Sequence, residues 1–370
     1  KSEEIINDIS SKFIIREIFE ISWNKKNFLN NLIRFYGHSL PDPKKKTLLC
    51  GTGPFLLIIV QDRNPNFRTG IVFNGKLTIN DNIAKNKMKY REWVGEEFSI
   101  HGSISAKETD HNLTLLLRKP LSEIQNNLPE MWDGTVKQFK SDLIGCNGWK
   151  SIEEFLITLN GTINYVILRN FENFPRNLIS DSHNDIDILT DGDIILPYIC
   201  MTDGSIPPRG KMPQVVINQK TIPIDWKRPG DNFYDKRWYN DILKRRILHK
   251  NGFYIPSQED YLYTLFYHMI FHKKLISDEY KKKILELAKT LELNEISEEL
   301  LGNFNLSKRF IEKYMKNMKY EHPTSLNYRL KNNEFTRLSK ISLFLLKTQG
   351  LSFLIKEFNA KIIRSISNQN

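Results

Sequence analysis

The chain is poor in cysteine: Cys50, Cys146 and Cys200 are its three thiols, far apart and with no CxxC pair. That excludes a disulfide framework and a zinc site built on paired thiolates, and it points to a reducing compartment. Long apolar runs are lacking too. The stretch from Phe55 to Val60 is among the longest, whereas a membrane-spanning helix needs about 20 apolar residues. Lys1-Ser-Glu-Glu leads directly into amphipathic sequence, which is not the pattern of a signal peptide. No internal repeat or low-complexity tract is evident, and no HExxH motif is present. A soluble, cytoplasmic protein is the expectation.

Acidic charge is in deficit, since 43 Asp and Glu against 54 Lys and Arg leave a formal charge of +11. The excess suits an anionic partner, whether nucleotide phosphates, nucleic acid or an acidic membrane surface. What is present suffices to build cores, with 40% hydrophobic and 11% aromatic residues over a length that implies two or three domains. Residues 1–120 alternate between helical and strand patterns, with a strand at Phe13 to Ile21, a helix at Asn24 to Tyr36 and a strand from Phe55. Pro120, Pro129, Gly134, Gly145 and Gly148 punctuate a connector at 121–150. A second unit, 151–280, opens with a helix. Its strands are Tyr165 to Arg169, Asp185 to Leu189, Gln214 to Asn218 and Thr221 to Trp226, and a capped helix follows Pro256-Ser257. Residues 281–370 read as helical and rich in lysine. The layer pattern is α+β.

In Asn184-Asp-Ile-Asp-Ile-Leu189 two acids alternate with apolar residues. On a strand, residues two apart share a face, so Asp185 and Asp187 point one way and Ile186 and Ile188 the other. Two carboxylates on one face repel unless a cation lies between them, and Mg²⁺ takes one or two carboxylates together with substrate phosphates. Ile222-Pro-Ile-Asp225-Trp226 ends a second apolar strand on a third acid. Taken alone, an Asp-x-Asp pair is as ordinary as the exposed face of an edge strand. The order strand, loop, Asp-x-Asp and later strand ending in Asp resembles the nucleotidyltransferase fold of the DNA polymerase beta superfamily, which includes LicD-like phosphotransferases. The resemblance covers about residues 150–280. It implies that Asp185, Asp187 and Asp225 hold Mg²⁺ (or Mn²⁺) and that Asp225 helps deprotonate an acceptor hydroxyl. Where that family has Gly-Ser after its first strand, this chain has Arg169-Asn170-Phe171-Glu172, so Arg169 is the candidate phosphate contact.

Lys227-Arg228, Asp231 and Lys244-Arg245-Arg246 follow the third acid; as basic runs they read first as solvated faces, and beside a phosphate site as holders of an anionic substrate. His268 and His272 are spaced i,i+4 among apolar neighbours, which favours packing or a supporting role.

In the first unit, Ser99-Ile-His101-Gly-Ser103 is read as lying between a strand and a helix that starts near Ala106. Gly53-Pro54, Thr69-Gly70 and Arg91 precede it in a spacing that resembles nucleoside diphosphate kinase over roughly residues 4–118. That family has a ferredoxin-like fold and a phosphate-accepting histidine. The resemblance places His101 on the phosphorylated histidine, Ser103 on the serine two further on, Arg91 on a phosphate-binding arginine and Tyr36 near the tyrosine beside the nucleophile. Ile71 stands where the family has a second arginine, and Asn112 where it has the carboxylate that orients the histidine. The family's first strand would lie upstream of residue 1.

From Arg337 to Ser367 apolar residues recur at helical spacing between Lys340, Lys347, Lys356, Lys361 and Arg364, with Glu357 the acid among them. Such a helix packs on a neighbouring domain or lies on an anionic membrane. The leading expectation is an Mg²⁺-dependent transferase that moves a nucleotidyl or phospho-substituted group from a nucleotide or nucleotide-linked donor to a hydroxyl acceptor. The LicD-like relatives imply a sugar or surface-glycan precursor as that acceptor. The competing expectations are phosphotransfer through His101, glycosyl transfer from a nucleotide sugar, and nucleic-acid binding by the basic surface. The last predicts strong salt dependence and lacks an aromatic–basic RNA motif.

Overall fold

The computed structural model describes residues 1–322 except 41, 73–74, 97, 173, 175–184, 193–194 and 202–212. The basic segment 337–367 therefore lies outside the described residues. Elements of both types alternate along the chain, as the layer pattern implied. Helix α1 (Ser2–Ser10) leads into strand β1 (Ile14–Ser22), then α2 (Phe28–Tyr36), α3 (Pro43–Cys50) and β2 (Phe55–Gln61). A hairpin of β3 (Phe67–Val72) and β4 (Gly75–Asn80) precedes α4 (Asp81–Val94), α5 (Ala106–Leu117) and α6 (Leu121–Asn127). The His-Gly-Ser loop thus follows a helix, α4, and not the strand expected from its sequence; Gly95 in left-handed conformation ends that helix (φ 75°).

Strand β1 is the centre of a three-stranded sheet, antiparallel to β2 and parallel to β5 (Val136–Lys140). Its register shifts between Ile15 and Glu17, and the shift reverses which residues face which layer. Ile15 and Ile18 accordingly both pack with Ile5, Ile9 and Tyr90 under α1 and α4. Ile21 turns to the opposite face and joins the main core. Strand β5 lies within 121–150, the stretch whose prolines and glycines suggested a connector. The punctuation is real, but Gly134, Gly145 and Gly148 serve turns with positive φ that flank a sheet strand.

The second unit begins with α7 (Ile152–Thr162), whose cap Ser151 accepts the amide of Glu154. Four strands follow in the order β6-β7-β9-β8, with β6 (Tyr165–Ile167), β7 (Ile186–Thr190), β8 (Gln214–Ile217) and β9 (Lys220–Lys227). The two central strands, β7 and β9, are parallel, and the outer two run antiparallel to their neighbours. Helix α8 (Leu196–Cys200) contacts α2 and β8, and α9 (Lys236–Lys244) packs on β6 and β7. After a small ladder of β10 (Ile247–Leu248) and β11 (Tyr254–Ile255) the fold turns helical, as expected. It continues through α10 (Gln258–Tyr267), a π-helical turn at His268–Lys273, α11 (Asp278–Thr290), α12 (Glu298–Gly302) and α13 (Phe304–Asn317). The α10 start is doubly fixed. Ser257 accepts the Asp260 amide and donates to its carboxylate, and Arg245 forks onto that same buried acid at 2.9 and 2.6 Å.

One hydrophobic core runs from Ile21 and Phe28 through Leu115, Phe155 and Ile188 to Tyr320, crossing from the first unit into the second. The seam is tight. A Cβ at Gly161 of α7 would lie 2.2 Å from Thr114 Oγ1 of α5, so glycine is what lets these helices approach. Buried Arg34 on α2 donates from Nη2 to the Ile199 carbonyl at the end of α8 (3.2 Å). Asp142 gathers the start of α2. Its Oδ1 accepts from the Asn24 amide (2.9 Å) and Asn31 Nδ2 (2.7 Å), and its Oδ2 from Asn27 Nδ2 (2.8 Å). Among the described helices none is long and apolar enough to cross a membrane.

Replacing Asp142 by alanine removes three bonds and leaves the fully buried Asn31 amide without its carboxylate. The expected cost is about 3 kcal/mol in a urea unfolding experiment, with Asp142→Asn less damaging. A loss within about 0.5 kcal/mol would mean that the seam does not depend on this residue. A second test concerns His111 in α5, which is pushed down to about 4, chiefly by burial, with the Arg34 charge adding to it against a bond to the Phe35 carbonyl. The unfolded chain binds a proton near pH 6.5 that the folded chain refuses until about pH 4, so this contribution is complete above pH 6.5 and drains away as pH falls. Stability should drop by about 3 kcal/mol across that window, and His111→Gln should flatten the slope. An unchanged slope in the variant would assign the pH dependence elsewhere.

Candidate functional site

Parallel pairing of β7 and β9 sets Asp187 directly opposite Asp225. Neighbouring strands are about 4.8 Å apart, so these carboxylates rise side by side from one face of the sheet. Asp185 lies two residues before Asp187, at the strand's entrance and exposed to solvent. The three acids expected from the sequence therefore belong to one end of the central strand pair. The site also holds bases. Beyond β6, Leu168 still donates its amide to the Asp187 carbonyl (2.9 Å), and the next residue, Arg169, folds back over the same aspartate. Its Nε meets Oδ2 at 3.1 Å and its Nη2 meets Oδ1 at 2.5 Å, a two-pronged contact in which both side chains are about nine-tenths buried. On β9, Lys227 shares the face of Asp225 by strand alternation and binds its Oδ1 at 2.6 Å.

Two elements from the helical part complete the setting. Arg169 Nη1 donates to His268 Nδ1 at 2.5 Å, and His268 Nδ1 lies 3.2 Å from His272 Nδ1. Both histidines belong to the π-helical turn, a geometry that recurs at functional sites. The His272 ring meets the Phe233 ring at a tilt (3.9 Å between centroids), and Lys227 Nζ lies over the same Phe233 ring at 4.4 Å. Contacts thus form a closed circuit: Asp187, Arg169, His268, His272, Phe233, Lys227, Asp225 and back across the sheet. Burial pushes Asp187 up, Arg169 pulls it down, and the charges of Asp225 and Asp185 push it further up. Burial and the adjacent Arg169 charge hold His268 far below its ordinary value, and His272 is lowered to about 4 for the same reasons. Both are neutral at physiological pH.

The donor chemistry of the acids, oxygen only, fits a hard divalent cation such as Mg²⁺, which needs one or two protein carboxylates plus substrate oxygens. Among the described residues no three His, Cys, Asp or Glu side chains are close enough together to hold a metal ion. Asp187 and Asp225 are consequently the pair available, with Asp185 at the rim. Of the neighbouring charged residues, Arg245 and Asp231 are structural. Arg245 pairs with buried Asp260, while Asp231 caps the turn by accepting from the Arg228 and Phe233 amides and the Tyr239 hydroxyl. Arg246 lies over the Tyr254 ring at 4.5 Å, and Lys244 and Arg246 help line an open cavity of about 450 Å³ with Asn164, Asp191 and Asn240.

The first unit presents its candidates together as well. His101, Ser103 and Asn112 meet: Asn112 Nδ2 lies 3.0 Å from His101 Nε2 and 2.8 Å from Ser103 Oγ. Asn112 thus stands beside the ring nitrogen where the resemblance implied a carboxylate, and Glu108 Oε1 is 3.5 Å from the same nitrogen. The rings of Tyr36 and Phe35 meet the imidazole edge-on. Three cations brace alternate carbonyls of the loop: Lys46 to Phe98 (2.5 Å), Arg91 to Ile100 (3.0 Å) and Lys87 to Gly102 (3.3 Å). Arg91 is therefore engaged with backbone here. Lys46 and Lys87 were not foreseen, because nothing in the spacing of isolated lysines marks them. Burial first, then the charges of Lys87, Lys46 and Arg91, keep His101 well below its ordinary value.

Compared with known proteins, the chain matches no family model, no curated protein and no solved structure. The function has to be argued from these two constellations. Their electrostatics give a first test. Asn112→Asp places a carboxylate against His101 Nε2 and should raise the imidazole titration by about one to two pH units, followed by proton–nitrogen NMR of the ring. A titration that stays in place would separate Asn112 from control of His101.

Proposed function

We propose that the chain is a divalent-cation-dependent transferase that moves a nucleotidyl or phospho-substituted group onto a hydroxyl acceptor. On this reading residues 151–280 are a nucleotidyltransferase-type domain and 1–120 a nucleoside diphosphate kinase-like domain. The observation that carries it is the in-register pair Asp187 and Asp225 on adjacent parallel strands, with Asp185 on the same face and Arg169 and Lys227 against them. Opposed carboxylates of this kind are costly without cations, and here they are retained beside two buried bases. Asp187 and Asp225, with Asp185 at the rim, are the residues that would hold Mg²⁺ or Mn²⁺, which would supply charge neutralisation for the transferred group. The chain's own contributions are positional. Asp225, the more open of the paired acids at 29% side-chain exposure, accepts the proton of the incoming hydroxyl, and Arg169 and Lys227 face the phosphates. A sugar or glycan-precursor hydroxyl is the proposed acceptor.

A second activity is favoured by one specific observation. His101 is fixed by Asn112 within a ring of Lys46, Lys87 and Arg91, a cationic surround suited to a phosphoryl group.

The leading proposal expects Mn²⁺ to bind with an affinity that falls at least about tenfold in Asp187→Asn and Asp225→Asn, read by electron paramagnetic resonance. The same variants should lose pyrophosphate or nucleotide release from a panel of nucleoside triphosphates and nucleotide sugars offered with sugar acceptors. Mn²⁺ binding that ignores both substitutions would sink it. Incubation with labelled ATP tests the second activity, because an acid-labile phosphate that vanishes in His101→Ala would assign phosphotransfer to the first unit.

A further inference from the structure

We propose that Arg169 and Lys227 are internal counter-cations: they hold the carboxylates while no divalent cation is bound and become the ligands of the donor's di- or triphosphate once one binds. His268 is the fixed point on which Arg169 turns. The proposal rests on the transferase reading and adds a charge exchange to it. Three acids stand at this end of the sheet against two bases, and both oxygens of Asp187 are engaged by the Arg169 fork. A divalent cation at Asp187 must therefore compete with a guanidinium already in place, and like charges at that separation repel. Lys227 competes in the same way at Asp225.

The bases have somewhere to go. Arg169 keeps a bond to His268 Nδ1 that does not involve the acids, and the nitrogen that accepts it carries a lone pair. Because His268 Nδ1 accepts from Arg169, the ring proton of the neutral imidazole sits on Nε2, and His272 Nδ1 lies 3.2 Å away across the π-turn. Lys227 is likewise steadied from outside the acid pair, by the Phe233 ring that packs against His272. Arg169 is thus tethered to the π-turn and Lys227 to the Phe233 ring, each with a carboxylate on its other side. Releasing the carboxylates frees two cationic side chains without freeing their anchors. A diphosphate or triphosphate tail supplies the anionic oxygens that both then meet, and binding of cation and phosphate becomes mutually reinforcing.

The experiment measures Mn²⁺ alone by electron paramagnetic resonance and inorganic pyrophosphate by calorimetry at saturating Mn²⁺, on the whole chain. Arg169→Met should bind Mn²⁺ about five- to tenfold more tightly than the unaltered protein while binding pyrophosphate at least tenfold more weakly. Arg169→Lys, which keeps the charge and loses the fork, should fall between on both scales and serves if the methionine variant does not fold. His268→Phe should weaken pyrophosphate with Mn²⁺ affinity changed less than twofold, and His268→Asn, which retains an acceptor, should restore it. Mn²⁺ affinity that stays level or falls in a folded Arg169 variant overturns the exchange while leaving the transferase reading intact. Mn²⁺ binding absent from both the unaltered protein and the Arg169 variants overturns both.

Discussion

The fork of Arg169 on Asp187 is the contact around which this end of the molecule is arranged. A buried carboxylate flanked by two others is unstable as an anion unless a cation stays close, and a buried guanidinium is no better off alone. Each therefore dictates the position of the other. The segment after β6 must bend back over the sheet to bring Arg169 in, and Asn170 takes a left-handed conformation (φ 57°) immediately afterwards. The remaining guanidinium nitrogen, Nη1, meets a neutral acceptor, which His268 provides from a helix 99 residues further on. Burial and the arginine's own charge keep that histidine neutral, so the network is consistent in its protonation as well as its geometry.

The two candidate centres use cations differently. Around His101 the basic side chains are spent on backbone carbonyls, holding the loop's shape while their charges bear on the imidazole. Around Asp187 they are spent on carboxylates. A cation bonded to a carbonyl retains its full charge toward an incoming anion, whereas one bonded to a carboxylate is neutralised until that partner is taken by something else. The first arrangement is a standing positive surface, and the second responds to what binds.

Between these centres the chain is continuous in its packing. The core crosses the seam, α5 lies on α7 where Gly161 permits it, and Asp142 ties the beginning of α2 to the stretch after β5. Arg34 lies within this seam with one carbonyl partner, and its Nε and Nη1 have no hydrogen-bond partner among the described residues. Burial lowers it to about 10, and the two thiols whose charges bear on it, Cys146 and Cys200, come one from each side of the seam. Such a charge is tolerated only where the surrounding packing is strong enough to carry its desolvation.

What the sequence alone determined was local and periodic. Alternation in Asp185-Ile-Asp187-Ile188 put two acids on one face, the capping Ser257 marked where a helix begins, and the third acid was visible at the end of an apolar strand. Lys227 was legible by the same rule, two residues past Asp225, although a basic run reads first as a solvated face. The glycines of 121–150 marked turns, but whether the residues between them joined a sheet depended on β1 offering an edge. Tertiary structure decided the rest: that Arg169 reaches Asp187, that a π-turn brings His268 and His272 to it, and that Asn112 stands against His101. Periodicity reports which way a side chain points from its own backbone. Which charge it meets there depends on packing between segments distant in the chain and on how much water that packing excludes, and neither is written in local spacing.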